Sequence, residues 1–270
     1  MTTTKSLGQK SKYDKFYTRP EVASFCISQI PIHDYDIVIE PSAGSGSFSS
    51  LLKNCRAYDI APEADGIEQL DFLKFNLPEE DKGKKVLVIG NPPFGVQNNL
   101  AIGFFNHSAG FADTIAFILP KSFRKSSIQD RLSLDFSLFL DIDLERNSFI
   151  LDGEDYDVPT VFQVWKRHPR KKIKKLYKLN GIEFVSKEEC DFRIQRVGGN
   201  AGRAFFNTGS KQSNYFIKNT TGIDSKVLVE LINKEEQRER NNTVGPRSIS
   251  KPEILEKIRK IIENNNEQSL

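Results

Sequence analysis

Asn91-Pro92-Pro93-Phe94 is the stretch of this chain whose residue types, in that order, could do chemistry. An exocyclic amine on an aromatic ring such as adenine is a poor nucleophile, because its lone pair is delocalised into the ring. The Asn91 side-chain carbonyl and the Pro92 main-chain carbonyl could accept its two N–H bonds, free the lone pair to attack, and stabilise the positive charge that grows there. That is electrostatic preorganisation, and it needs no histidine. Pro92 and Pro93 fix φ and carry no N–H donor, which stiffens the loop. Phe94 offers an apolar face for stacking, roughly 1–3 kcal/mol per base. Without a function, the same residues read as a strand ending in a Pro-rich turn with a core Phe.

The elements around this loop have to place it at a ligand. Val86-Leu87-Val88-Ile89-Gly90 reads as a buried strand of a parallel sheet, which puts the loop at the carboxyl edge where open α/β sheets bind ligands. Residues 36–40 read as another strand, running into Pro41-Ser42-Ala43-Gly44-Ser45-Gly46-Ser47-Phe48 and then a helix carrying Phe48, Leu51 and Leu52. Small residues there let backbone approach a ligand, and a helix N-terminus favours a carboxylate. There is no Gly-Lys-Ser/Thr, and the third Gly of the dinucleotide fingerprint is missing. A second strand over 56–60 places Asp59 where an acid can accept both hydroxyls of a ribose. Asp71-Phe72 offers a carboxylate and a ring that could meet an adenine, although each acid by itself also suits a turn or a cap.

Upstream, residues 21–30 have helical spacing, with Thr18 as the expected N-cap, Pro20 in the first turn and Glu21 completing a capping box. The functional reading adds Phe16, Tyr17 and Thr18 as a ligand-lining segment. Downstream come a helix over 99–111, a buried strand over 114–120, Lys121-Ser122-Phe123-Arg124 at its end, and a final strand pair over 139–149 and 160–165. The run Pro-Glu-Glu-Asp-Lys-Gly-Lys-Lys between Leu77 and Lys85 reads as a solvated turn. This order predicts an α/β fold, a doubly wound, mostly parallel sheet with an antiparallel edge.

Composition sets the class. At 38% hydrophobic and 28% charged residues, with no apolar run of about 18, the chain reads as a globular intracellular protein, cytoplasmic or nuclear, with no membrane span. Cys26, Cys55 and Cys190 are odd in number and lack metal-ligand spacing, and His33, His107 and His168 have no ligand constellation around them, so no metal site is expected. The first dozen residues read as a disordered arm without a secretory signal. Net charge is only +3, but from Lys166 to Lys178 eight of thirteen residues are Lys or Arg and none is acidic. Such a run is either a solvated face or a set of phosphate contacts. Beyond it, short strands are expected over 182–185, 191–197 and 214–218, with a Gly-rich bend over 198–203 and two closing helices. The last helix has a Ser250/Glu253 capping box, Pro252 in its first turn and an apolar face of Ile254, Leu255, Ile258, Ile261 and Ile262; residues 263–270 should fray. The expected division is a catalytic domain over 1–168 and a small α+β region over 169–270.

In this order, the aromatic-Thr segment, the Gly-rich turn after Glu40-Pro41, the acid after strand two, Asp71-Phe72 and Asn91 to Phe94 make the sequence resemble the S-adenosylmethionine-dependent amino-methyltransferases. Within them it resembles the adenine-N6 enzymes of the γ motif order, over about residues 12–167. The resemblance implies a seven-stranded Rossmann-like methyltransferase sheet. It implies that Glu40, Pro41, Ala43, Gly44 and Gly46 hold the methionine part of S-adenosylmethionine, with Phe16, Tyr17 and Thr18 closing over it. Asp59 and Ile60 would lie at the ribose, Asp71 and Phe72 at the cofactor adenine, and Asn91 between cofactor and target. Asn91 and Pro92 would hold the target amine on the loop stiffened by Pro93, with Phe94 stacked on the extruded base. Transfer would be an in-line displacement without a metal or a covalent enzyme intermediate. The sequence departs from the pattern twice. Arg19 separates Thr18 from Pro20, where many relatives have Thr-Pro directly, and the stretch from Asp59 to Asp71 is short for a helix.

The implied partner is nucleic acid, with DNA favoured and RNA open, in a solitary enzyme or one paired with a restriction nuclease. Lys121, Arg124, Arg170, Lys171, Lys172, Lys174, Arg196 and Arg203 are the expected phosphate contacts, and 169–270 the expected target-recognition region. In a duplex the target base must leave the stack at a cost of a few kcal/mol. A protein-glutamine methyltransferase is a further reading, opposed by Phe94 where such enzymes carry Tyr, by the aromatic-Thr segment and by the basic run. RNA guanine-N2 methylation and a non-enzymatic nucleic-acid-binding module also remain.

Overall fold

The computed structural model describes residues 16–151, 153–172, 174–207, 209–235 and 247–267. The arm expected over the first dozen residues lies outside them, as do the last three residues. The chain divides into two compact units, Met1–Lys121 with Ser127–Lys172, and Ser122–Ser126 with Ile173–Leu270. The first division after the sheet falls beyond residue 168 because Arg167 and Arg170 are bonded into the first unit, Arg167 to the Ala109 and Ala112 carbonyls and Arg170 to those of Gln129, Leu132 and Phe136.

In chain order the first elements are β1 (Tyr17–Thr18), α1 (Pro20–Ser28), β2 (Ile37–Glu40), β3 (Cys55–Asp59), β4 (Ile67–Gln69) and β5 (Val86–Gly90). Then come α2 (Asn99–Ser108), β6 (Thr114–Pro120), the single turn α3 (Ser126–Gln129), β7 (Phe136–Asp143), β8 (Phe149–Leu151), β9 (Glu154–Tyr156) and β10 (Thr160–Arg167). Seven of these strands form one sheet in the order β4-β3-β2-β5-β6-β10-β7. Neighbours from β4 to β6 are parallel, whereas β10 runs antiparallel to both β6 and β7. This is the mostly parallel sheet with an antiparallel edge that the sequence predicts.

Burial explains the centre. Val86, Leu87, Val88 and Ile89 have no exposed surface, nor do residues 115–119 of β6, so both strands are continuous apolar runs covered on both faces. From β2 the chain winds outward to β3 and β4, then returns to β5 on the other side of β2. The carboxyl ends of β2 and β5 therefore flank a topological switch point, the place where such sheets open a crevice.

Several local expectations are corrected. Thr18 does not cap α1. Its N-cap is Arg19, without a side-chain bond, and Thr18 is instead drawn into β1, which pairs with β8 in a separate β1-β8-β9 sheet. Pro20 does occupy the first helical turn. The helix expected after the Gly-rich turn is only a 3-10 turn, Ser49–Leu51, because Asn54 in a left-handed conformation (φ 60°) ends the segment just before β3. Between Asp59 and Asp71 no helix forms, and β4 fills the place as an edge strand. The strand expected over 139–149 is split, with β7 ending at Asp143 and Phe149 opening β8 beyond a left-handed Asn147. The acidic run before β5 is not wholly solvated. Asp81 is buried and ion-paired to Arg56 and Lys84, whose hydrogen bonds, that of Arg56 first, hold its carboxyl down at about 2.

The second unit holds β11 (Ile182–Phe184), β12 (Phe192–Gln195), β13 (Ala204–Phe205), β14 (Asn214–Asn219), α4 (Ser225–Lys234) and α5 (Lys251–Glu267). Its sheet is antiparallel in the order β11-β14-β12-β13. Phe192, Ile194 and Ile217 of the sheet pack with Leu228 and Ile232 of α4 and Ile254, Leu255 and Ile258 of α5. The Ser250 amide and hydroxyl both donate to the Glu253 carboxylate at 2.7 Å, so the glutamate half of the expected capping box forms. Fraying from residue 263 does not occur as far as Glu267, and Arg259 is paired with Glu263 one turn on. The short β13 gave no sequence signal, since two residues carry no alternation.

Candidate active site

A cavity of about 460 Å³ opens at the switch point. Its wall brings together Phe16, Tyr17 and Thr18, then Glu40, Pro41, Ala43 and Gly44, then Asp59 and Ile60, Asp71 and Phe72, and the whole Asn91 to Phe94 loop. Of the residues singled out for a small ligand, Gly46 alone is not in the wall. With φ +84° it makes the turn, where a side chain would be strained and would meet Ser49 Oγ at 3.2 Å.

Asn91 follows the last residue of β5 and is held on two sides. Its backbone carbonyl accepts from Ser42 Oγ at 3.1 Å. Its side-chain nitrogen donates to the Phe16 carbonyl and to Thr18 Oγ1, each at 3.2 Å. A backbone carbonyl only accepts, so the amide nitrogen must face Phe16 and the oxygen must lie on the other side. That oxygen, Oδ1, is buried and has no hydrogen-bond partner; among the described residues no other buried side-chain nitrogen or oxygen is in this state. Leaving such an acceptor unpaired costs about 1–3 kcal/mol, so it is a feature that calls for a donor.

The turn after β2 is built around two acids. Glu40, 2% exposed, takes the Ser49 amide at 2.8 Å and the Phe48 amide at 3.4 Å. Burial pushes its carboxyl up to about 7, against the pull of those Ser49 and Phe48 bonds. Asp59, also buried, accepts from the Gly44 and Ala61 amides, each at 2.8 Å. Both acids therefore shape the loop as well as line the cavity. Gly44 itself has φ +53°, and a Cβ there would sit 3.5 Å from the Tyr17 ring. Tyr17 is fixed over the turn by its hydroxyl, which donates to Glu63 at 2.6 Å.

The aromatic side chains divide into two groups. Phe16 stacks on Tyr156 at 4.9 Å between centroids and lies 6.4 Å from Phe94, which is 9% exposed. Phe72 is 2% exposed and packed against Phe75, Phe104, His107 and Phe111, so most of its ring serves the core. Asp71 caps the turn that carries Phe72 by accepting from the Leu73 amide at 3.2 Å, and pairs with Lys74.

The expected phosphate contacts are split between the units. Arg170 is engaged within the first unit, where its guanidinium donates to the carbonyls of Phe136, Gln129 and Leu132 at 2.8, 2.6 and 3.4 Å. Lys121 is ion-paired to Asp143 and Arg124 is half-buried. Lys171, Lys172, Lys174, Arg196 and Arg203 are exposed, with the Arg196 guanidinium 5.8 Å from the Tyr215 ring. Sequence reasoning missed Ser42 and Ser47, whose hydroxyls tie the Gly-rich turn to Asn91 and Thr18, and Glu63 and Tyr156, which brace Tyr17 and Phe16. The small residues of the turn were noticed there as spacers, and nothing local marks a serine as a donor.

No family model matches the chain. The protein ENHANCED DOWNY MILDEW 2 of Arabidopsis thaliana is 26% identical over an alignment of 185 residues that covers 58% of this chain and 14% of that protein. Among solved structures, the modification subunit assigned to a type I restriction enzyme of Vibrio vulnificus is 16% identical, with 57% of this chain and 45% of that one covered and a TM-score of 0.40. A protein of Pyrococcus horikoshii assigned as an RNA methyltransferase is 18% identical, covering 58% of this chain and 88% of that one at a TM-score of 0.42. A tRNA methyltransferase of M. jannaschii is 16% identical, covering 58% and 50% at a TM-score of 0.38.

Proposed function

We propose that this chain transfers a methyl group from S-adenosylmethionine to the N6 amine of adenine in nucleic acid, with DNA as the favoured polymer. The observation that carries this reading is the buried Asn91 Oδ1 left without a hydrogen-bond partner, on a residue that lines the switch-point cavity. A fixed acceptor with no donor suits an N–H of the target amine, and the carbonyl of Pro92, the next residue of the loop, is the acceptor proposed for the second. Together they favour the pyramidal nitrogen and the positive charge of the attack. Phe94 supplies an apolar surface against which the extruded ring is held.

The size and lining of the cavity support a cofactor of this kind. Its volume falls within the roughly 300–1,000 Å³ of small-molecule sites. Glu40 and Asp59 stand at successive strand ends, suited to an ammonium and to ribose hydroxyls, and the bare Cα of Gly44 leaves room between backbone and Tyr17. When bound, S-adenosylmethionine supplies a methyl group on a positively charged sulfur that departs as a neutral thioether. The protein's part is to orient the amine, hold its protons and exclude water.

The test is to incubate the chain and its Asn91→Ala variant with methyl-labelled cofactor and either DNA or RNA, then to identify the labelled nucleoside. Label in N6-methyladenine, reduced about 10²- to 10³-fold in the variant as for other preorganised dipoles, supports the reading and selects the polymer. Label in protein alone, or undiminished transfer by the variant, overturns it.

A further inference from the structure

We propose that Thr18 is a positioning residue, whose hydroxyl oxygen holds the Asn91 amide in the orientation that leaves Oδ1 available to a substrate N–H. This rests on the methyl-transfer reading above and assigns the N-terminal strand a role in target binding besides any contact with the cofactor.

The amide has two N–H bonds and two acceptors within 3.2 Å, the Phe16 carbonyl and Thr18 Oγ1. Phe16 sets the polarity, because its carbonyl cannot donate; the Thr18 oxygen then accepts the other proton and removes the freedom of the amide to swing. A swing would present a donor where the substrate also has a donor, and binding would turn to repulsion. Thr18 is itself held rigidly. It is 5% exposed, pairs with Phe149 in β1-β8, and its carbonyl takes the Ser47 hydroxyl at 2.9 Å. A β-branched side chain on such a backbone has little χ1 freedom. The next residue locks the strand in place: the Arg19 amide reaches the Ser148 carbonyl at 3.1 Å, and its guanidinium reaches the Asn147 carbonyl at 2.9 Å and Asp155. Thr18 thus joins the Gly-rich turn, the β8-β9 hairpin and the Asn91 loop.

The experiment compares Thr18→Val, which keeps shape but loses the acceptor, with Thr18→Ser, which keeps the acceptor. Methyl-transfer kcat and KM, the dissociation constant of S-adenosylmethionine by calorimetry, and hydrogen exchange of the Asn91 side-chain amide by NMR are measured on the full chain. Thr18→Val should lower kcat on the order of tenfold, the worth of one ordinary hydrogen bond. It should also speed exchange of the amide and change cofactor affinity by less than about threefold. Thr18→Ser should restore kcat and slow exchange. Wild-type kcat and exchange in Thr18→Val, a loss shared equally by cofactor affinity, or a serine variant as impaired as valine would overturn the proposal. If the wild-type chain methylates no nucleic acid, the functional reading falls, and the exchange rates still decide whether Thr18 holds the amide. Should Thr18→Val not fold, Thr18→Ala takes its place.

Discussion

Glu40 makes the proposed cofactor site sensitive to pH in a direction the structure fixes. Its carboxyl is 2% exposed, and burial raises it from the ordinary 4.5 to about 7. Between those values the folded protein holds a proton that the unfolded chain has released. For this group alone, stability is therefore greatest below about pH 4.5 and falls as pH rises through 7, by about 3 kcal/mol for the full rise. A cation bound beside Glu40 reverses that preference, because it favours the carboxylate. If the ammonium of S-adenosylmethionine is that cation, binding below pH 7 must expel the proton, and affinity drops about tenfold for each pH unit below the midpoint. At pH 6 about 0.9 proton should be released per cofactor bound, and almost none at pH 8.5. Calorimetry in two buffers of different ionisation heat counts those protons directly. Glu40→Gln should bind more weakly at pH 8 and show a flat profile. A wild-type affinity that does not change between about pH 5.5 and 8.5, with no proton released, would refute the assignment of Glu40 to the ammonium; a sloping profile that persists in Glu40→Gln would place the titration elsewhere.

Arg170→Ala should lower stability by about 1–2 kcal/mol, since it strands part-buried carbonyls, and leave the salt dependence of nucleic-acid binding unchanged. Replacing Lys171, Lys172 and Lys174 together by Ala should do the opposite, reducing the slope of log affinity against log salt by about 2–3 at an unchanged melting temperature. A filter-binding salt titration beside a thermal melt separates the two sets, and the reverse outcome would return Arg170 to the phosphate contacts. Gly44→Ala should cost about 1–2 kcal/mol for its φ of +53°, read by urea denaturation. It should also weaken cofactor binding, because relieving the strained φ shifts a turn that lines the cavity. Full affinity in that variant would mean that the turn is not the cofactor's cradle.

Much of this architecture is written locally. The unbroken apolar runs of β5 and β6, the proline-stiffened loop behind Gly90, the acids at the ends of β2 and β3 and the capped face of α5 depend on neighbours a few residues away, so their patterns survive in one dimension. Thr18 shows where that stops. Its surroundings spell an N-cap, with Glu21 three residues on, yet its hydroxyl is taken by Asn91, 73 residues further along. The same holds for Arg170, one cation in a basic run by sequence and a clamp on three carbonyls in space. It holds for Ser42 and Ser47 in a turn that sequence marks only as small. Periodicity and capping are short-range signals, whereas the fate of a polar group is set by whichever buried donor or acceptor lacks a partner once the strands are stacked. The chain by itself determined which residues gather at the sheet's carboxyl edge. Only the tertiary structure decided which of them are spent on one another, and left the Asn91 oxygen without a donor.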